Sequence, residues 1–169
     1  IVSSGAVVVE NGKPAAQFDG SNDFLEDVSK AASLPGHTLV TVVKTNTTAV
    51  DQRFWSNPNG GANILNLTSG NYEFQDYETS PTLLSIATIA ADTTQSLLFG
   101  SINSTNKIAK IWKNGIQGTN GVTLTKTLQL LNTAETDIKV GSNRAGSANF
   151  VDGYIKEMIY YPIDQDAAG

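Results

Sequence analysis

The chain has 169 residues and is 40% hydrophobic, enough for one domain with a core of its own. It has no cysteine, which excludes disulfides, thiolate nucleophiles and Cys-ligated zinc. A net charge of −5 with no Lys/Arg stripe leaves no footprint for nucleic acid or an anionic membrane, and no apolar run approaches the ~20 residues that span a bilayer.

In chain order the signals are those of short strands cut by Gly, Asn and Asp. Residues 6–9 form an apolar run before Asn11-Gly12, and residues 15–18 lead into Asp19-Gly20. Extended structure resumes at Phe24-Leu25. Residues 28–34 could make one helical turn, ended by Pro35-Gly36. Residues 38–44 (TLVTVVK) are apolar on both alternating faces and predict a central strand. Residues 53–56 follow, and then a turn over 57–61. Residues 63–68 and 72–78 flank Ser69-Gly70-Asn71 as a hairpin. Residues 83–90, 96–102 and 107–113 come next, the last closed by Asn114-Gly115. Residues 128–131 and 137–140 precede a loop over 141–149, and 154–161 is the last clear strand. The tail from 164 to 168 could begin a helix. About a dozen strands joined by short turns predict an all-β fold, either a two-sheet antiparallel β-sandwich or a closed barrel.

Three segments carry a resemblance. Residues 13–25 (KPAAQFDGSNDFL) resemble an opening F-D-G-x-x-D-Y-(L/V) pattern, residues 108–115 (IAKIWKNG) a strand and hairpin, and residues 138–162 a closing segment. In this order the set resembles the laminin-G-like branch of the concanavalin-A-like superfamily. The resemblance implies a jelly-roll sandwich across nearly the whole chain, with Phe18, Ile155 and Ile159 spaced to fill the space between the sheets. The wording ENGKPAAQFDGSNDFLE with IKEMIYYPIDQDAA also looks like modules of bacteriophage structural proteins. It is distantly similar to the sandwich of arabinofuranosidase B. In such proteins further residues flank this segment, so residues 1–169 are expected to be one domain of a longer chain.

The chemistry offers few candidates. His37 is the single histidine and opens an apolar strand after Pro35-Gly36, which suits a structural or surface role better than a Ser-His-Asp triad. The run Glu73-Phe74-Gln75-Asp76-Tyr77-Glu78 is similar to the E-x-D-x-(x)-E strand of sandwich glucanases. Gln75 replaces the middle acid, however, and alternation sets Glu73 and Glu78 on opposite faces. Asp19, Asn22 and Asp23 form an acidic turn. With Asp152 near the closing loop they are calcium candidates, to be set against the ordinary turn role of Asp. Glycan or surface contact would use aromatic faces and amides in loops: Trp55, Asn57, Asn59, Tyr72, Tyr77, Trp112 and Arg144. Trp112 alternates with Lys110, which points to a solvent-facing sheet surface, but for both tryptophans burial in the core is the favoured reading, since aromatics usually bury most of their area. Sequons at Asn46, Asn66 and Asn103 are no more than the Asn, Ser and Thr content produces by chance.

The expectation is a non-catalytic binding module without a cofactor, repeated on a particle or homo-oligomeric, and exposed on a virion surface or outside the cell. Its partners would be neighbouring virion proteins, cell-surface carbohydrate, or both. The alternatives are a carbohydrate-binding module of a secreted bacterial protein and a glycoside hydrolase fragment.

Overall fold

The computed structural model describes residues 2–3, 6–27, 36–56, 64–77, 84–103, 105, 107–124, 138–143, 145–161 and 165. Among them there is no helix. Fourteen strands, numbered in chain order, form two seven-stranded antiparallel sheets. Sheet A runs β1 (Val2–Ser3), β4 (Phe24–Asp27), β13 (Ile138–Val140), β6 (Gln52–Ser56), β7 (Ile64–Thr68), β8 (Asn71–Tyr77) and β9 (Leu84–Ala90). Sheet B runs β12 (Ile116–Gln117), β11 (Lys110–Lys113), β10 (Ser96–Ile102), β5 (His37–Thr45), β14 (Asp152–Tyr161), β3 (Lys13–Asp19) and β2 (Ala6–Glu10). The fold is the β-sandwich that the strand spacing predicted. The two-residue strands β1 and β12 carry too short a pattern to be seen in sequence. The expected strand at 128–131, the helical turn at 28–34 and the tail at 164–168 lie outside the described residues.

The turns follow from residue type. Asn11-Gly12 and Asn114-Gly115 both take positive φ at their two central positions, as a tight hairpin turn requires. The core then follows from period-2 alternation. Leu39, Thr41 and Val43 of β5 face inward, in register with Gly100, Leu98 and Ser96 of β10. From sheet A, Leu65, Leu67, Tyr72, Phe74 and Ala87 meet them, all buried. Phe74 needs the bare backbone opposite: a Cβ on Gly100 would stand 2.2 Å from its Cδ2.

Two bulges break the alternation. In β14 the register with β5 shifts between Ile155 and Glu157, and the buried Thr41 hydroxyl donates to the Glu157 carbonyl at 2.7 Å. Ile155, Met158 and Tyr160 therefore face inward, while Ile159 pairs with Val40 on the outer face and is 36% exposed. The expectation that Ile159 fills the core is corrected: one inserted residue turns the rest of the strand over. In β6 the register with β7 shifts between Arg53 and Trp55, and Phe54 and Trp55 are both buried as a result.

The sheets are tied together at one end by polar groups. The Gln52 amide of β6 donates to Thr45 Oγ1 (2.9 Å) and to the Thr47 carbonyl (2.8 Å), and accepts from the Asp152 N–H (3.1 Å). Three of the four sheet edges are blunted. β1 and β12 have two residues each, and β9 is capped by the reciprocal backbone bonds of Thr88 and Thr119. The fourth edge, β2, has five residues in unbroken register with β3, and its Val7 and Val9 are 77% and 74% exposed.

Candidate functional site

Sheet A presents its outer face through alternate residues of β6, β7, β8 and β9. The pairings Arg53↔Asn66, Asn66↔Glu73 and Glu73↔Thr88 set four polar residues in one row across four strands. Thr68 and Gln75 stand beside the row, one alternate position along β7 and β8. These outward-facing groups are recessed: Asn66 and Gln75 are buried, and Arg53, Thr68 and Glu73 are half-buried.

The bonds within the row leave capacity unused. Glu73 Oε2 accepts from Asn66 Nδ2 (2.9 Å) and Gln75 Nε2 (2.6 Å), and Thr68 Oγ1 accepts from Asn66 Nδ2 (2.7 Å) and Arg53 Nη1 (3.2 Å). Asn66 Oδ1 is the one buried side-chain polar atom among the described residues with no hydrogen-bond partner. An acceptor left so costs about 1–3 kcal/mol of desolvation. A guanidinium has five donors; that of Arg53 makes one side-chain bond and meets no carboxylate among the described residues. Further along the same face, buried Lys139 of β13 pairs with Glu26 of β4. Burial lowers the Lys139 pKa.

A row of amide, hydroxyl, carboxylate and guanidinium groups can exchange hydrogen bonds with a polyhydroxylated ligand. Among the described residues it holds no pair of carboxyls at the spacing of glycoside hydrolysis. The other acid whose side chain is described on this face, Glu26, lies four strands from Glu73. That is about 19 Å at ~4.8 Å per strand, against the ~5–9.5 Å that paired catalytic carboxyls span.

The aromatic and loop candidates are distributed differently from the expectation. Trp55 is a core side chain, turned inward by the β6 bulge and stacked on Tyr160 with ring centroids 5.6 Å apart. Trp55→Ala should therefore cost about 3 kcal/mol of stability, read by urea unfolding. A variant as stable as the parent would contradict the core placement. Tyr72 is also buried, 5.9 Å from Phe54 between centroids, and burial pushes its phenol up to about 12. Neither is free to contact a ligand: Trp55 takes the core place that its residue type favoured, and the expectation of a ligand contact at Tyr72 is corrected. Trp112 lies on the outer face of sheet B in register with Phe99, as its alternation with Lys110 predicted. Tyr77 ends β8 opposite Leu84. Asn57, Asn59, Arg144 and Glu78 lie outside the described residues.

His37 faces the core of sheet B. Burial pushes its imidazole down to about 3, between the rings of Phe74 and Tyr160 at 5.7 and 5.9 Å. So strongly neutral and enclosed a group is no general base for an external substrate. Of the structural or surface role expected for it, the structure shows the structural one. Asp19 and Asp23 serve the backbone, and Asp152 a neighbouring side chain. Asp23 Oδ2 accepts from the Asp19 N–H (3.1 Å), Asp19 Oδ1 from the Ser21 N–H (2.8 Å), and Asp152 Oδ1 from Asn46 Nδ2 (2.8 Å). Among the described residues no three His, Cys, Asp or Glu side chains converge as a metal-binding group.

The polar row was missed in sequence. Its members are 13, 7 and 15 positions apart, and only strand register brings them together.

No protein-family model and no curated protein matches this sequence. The fold does have likenesses among solved structures. The CBM40 of the Ruminococcus gnavus IT-sialidase is 15% identical, with a TM-score of 0.65 over 99% of this chain and 95% of that one, and it is also solved bound to α2,3-sialyllactose. A mutant of the NanB sialidase of Streptococcus pneumoniae is 15% identical, with a TM-score of 0.67 over 91% of this chain, which spans only 26% of that enzyme. Domain 4 of AbnA, an extracellular arabinanase of Geobacillus stearothermophilus solved with arabinotriose, is 14% identical, with a TM-score of 0.58 over 94% and 75% of the two chains. At such identities the likeness establishes the fold: an all-β sandwich of the kind these glycan-associated proteins carry.

Proposed function

We propose that the chain is a non-catalytic carbohydrate-binding module acting outside the cell, as one domain of a longer protein. Its contact surface is the outer face of sheet A around Arg53, Asn66, Glu73 and Gln75. The observation that carries this reading is the half-buried, sparsely bonded Arg53 guanidinium set in one polar row with the Glu73 carboxylate and beside the Thr68 hydroxyl. Sugar hydroxyls both donate and accept, so they match a face that offers both kinds of group. The likeness to domains solved with sialyllactose and arabinotriose supports the same class of ligand. None of the structures compared above is a virion component, so the phage-like wording of the sequence gains no support.

The test is titration calorimetry against a panel of soluble oligosaccharides that includes sialyllactose and arabinotriose. At least one should bind, and Arg53→Ala should weaken it by about 10-fold or more, since hydrogen bonds to charged groups contribute ~1.5–3 kcal/mol. Unfolding should change little, and the bound oligosaccharide should be recovered intact. Binding untouched by Arg53→Ala would remove the site, and cleavage of the oligosaccharide would remove the non-catalytic reading.

A further inference from the structure

The edge strand β2 lacks the guards that edge strands usually carry. It has five residues with no proline and no bulge, and its one charge, Glu10, is taken up by Lys44 at 3.0 Å. Which of its backbone groups are open follows from β3. Gly20, in step with the even positions of β3, gives its N–H to the Val151 carbonyl at 2.9 Å, on the side of β14. Pro14, another even position, has no N–H to offer β2. The odd positions Lys13, Ala15 and Gln17 therefore bond to β2, where their register partners are Glu10, Val8 and Ala6. The N–H and C=O of Val7 and Val9 point the other way, into the open edge, and meet no partner among the described residues. Their side chains share one face of the strand, 77% and 74% exposed.

We propose that a second copy of this chain adds its β2 antiparallel to this one, about a two-fold axis that passes by Val8 perpendicular to sheet B. Residues in an antiparallel pair alternate between exchanging two hydrogen bonds and exchanging none. With Val8 opposite Val8 of the other copy, Val7 of each stands opposite Val9 of the other. Every open N–H and C=O of both strands is then bonded. A shift of the register by one residue sets open groups against groups already bonded to β3. A shift by two sets a valine opposite position 5 or opposite Asn11, both outside the strand, and Asn11 has turned to a φ of 50°. The partner that satisfies this edge in full is thus the same edge, as a two-fold contact demands, and this is what selects a second copy as the occupant. The charges permit it, since Glu10 faces Ala6 and no like charges meet. The side chains favour it. Val9 of the other copy lies beside Val7, at an open cavity of about 290 Å³ that Val7 lines with Pro14, Ala16, Leu25, Val140 and Ile155. The contact is small, so the dimer is weak and reversible. It leaves the outer face of sheet A open in both copies and does not depend on the glycan reading above.

The chain has no cysteine, so an introduced thiol reports the pairing without background. The two Val8 Cα positions are expected ~4.5 Å apart, within the ~4.4–6.8 Å that a disulfide spans, and the two Val7 positions about 8 Å apart, beyond it. Under mild oxidation Val8→Cys should form a covalent dimer about 10-fold faster or more than Val7→Cys. Random collision would give the opposite order, because Val7 is the more exposed of the two. Analytical ultracentrifugation of the parent over a concentration series should show a monomer–dimer equilibrium. Val9→Pro removes a donor that only the second copy uses, so it should raise the dissociation constant by about 10-fold or more and leave the urea midpoint nearly unchanged. A parent that stays monomeric up to about 1 mM overturns the proposal. So does a dimer indifferent to Val9→Pro, or faster cross-linking of Val7→Cys than of Val8→Cys.

Discussion

Replacing Gly153 by alanine will cost about 4 kcal/mol of folding stability. Gly153 sits in β14 between Thr45 of β5 and Phe18 of β3, at a φ of 153°, a region that residues with a side chain rarely enter. An added Cβ would lie 2.1 Å from the Lys44 carbonyl oxygen and 2.9 Å from Thr45 Cα. Both obstacles are backbone of a central strand, so no side-chain rotation relieves them. Overpacking of this kind costs ~1–3 kcal/mol, and forced dihedrals add a similar amount. Urea unfolding of Gly153→Ala beside the parent measures it. A difference below about 1 kcal/mol would mean that β5 and β14 are not packed as described.

Acid will destabilise the protein through one residue before its carboxylates are reached. His37 is the sole histidine, and burial holds its imidazole at about 3, against an ordinary 6.5. Above pH 6.5 the imidazole is neutral in both states and contributes no pH dependence. Below it the unfolded chain takes up a proton that the folded core refuses, so stability falls as pH falls, at ~1.4 kcal/mol per unit. By pH 4.5 about 3 kcal/mol is lost, and by pH 3.5 about 4. The measurement is the urea midpoint across this range for the parent and His37→Gln. The parent should slope between pH 6.5 and 5, where carboxylates of ordinary pKa stay mostly ionised, and the variant should be nearly flat. Equal slopes would show that the proton goes elsewhere.

Much of the fold was legible because it depends on local signals. Asn114-Gly115 and Asn11-Gly12 dictate their turns by backbone conformation alone, and the apolar alternation of residues 38–44 marks the central strand β5. What was not legible depends on insertions and on register. A bulge has no composition signature in a strand such as β14, so the outward turn of Ile159 could not be foreseen. The bulge in β6 buries Phe54 and Trp55 together, which alternation forbids, so only residue type and not pattern pointed Trp55 to the core. The polar row was missed as a row, although some of its residues were noticed singly. Glu73 and Gln75 drew notice as a broken catalytic motif and Asn66 as a chance sequon. Arg53 had no local signal at all, because its partners come from β7, β8 and β9.

The edge strands limit how this protein can grow. Hydrogen-bonded sheets extend indefinitely only when each unit offers two open sides, one to receive and one to pass on. Among the described residues β1 and β12 are too short to template a neighbour, β9 is already occupied by Thr119, and only β2 lies open with Val7 and Val9 uncovered. Any edge-to-edge joining through these strands therefore stops at a pair, so the molecule can carry a bare, apolar strand without the geometry of a fibre.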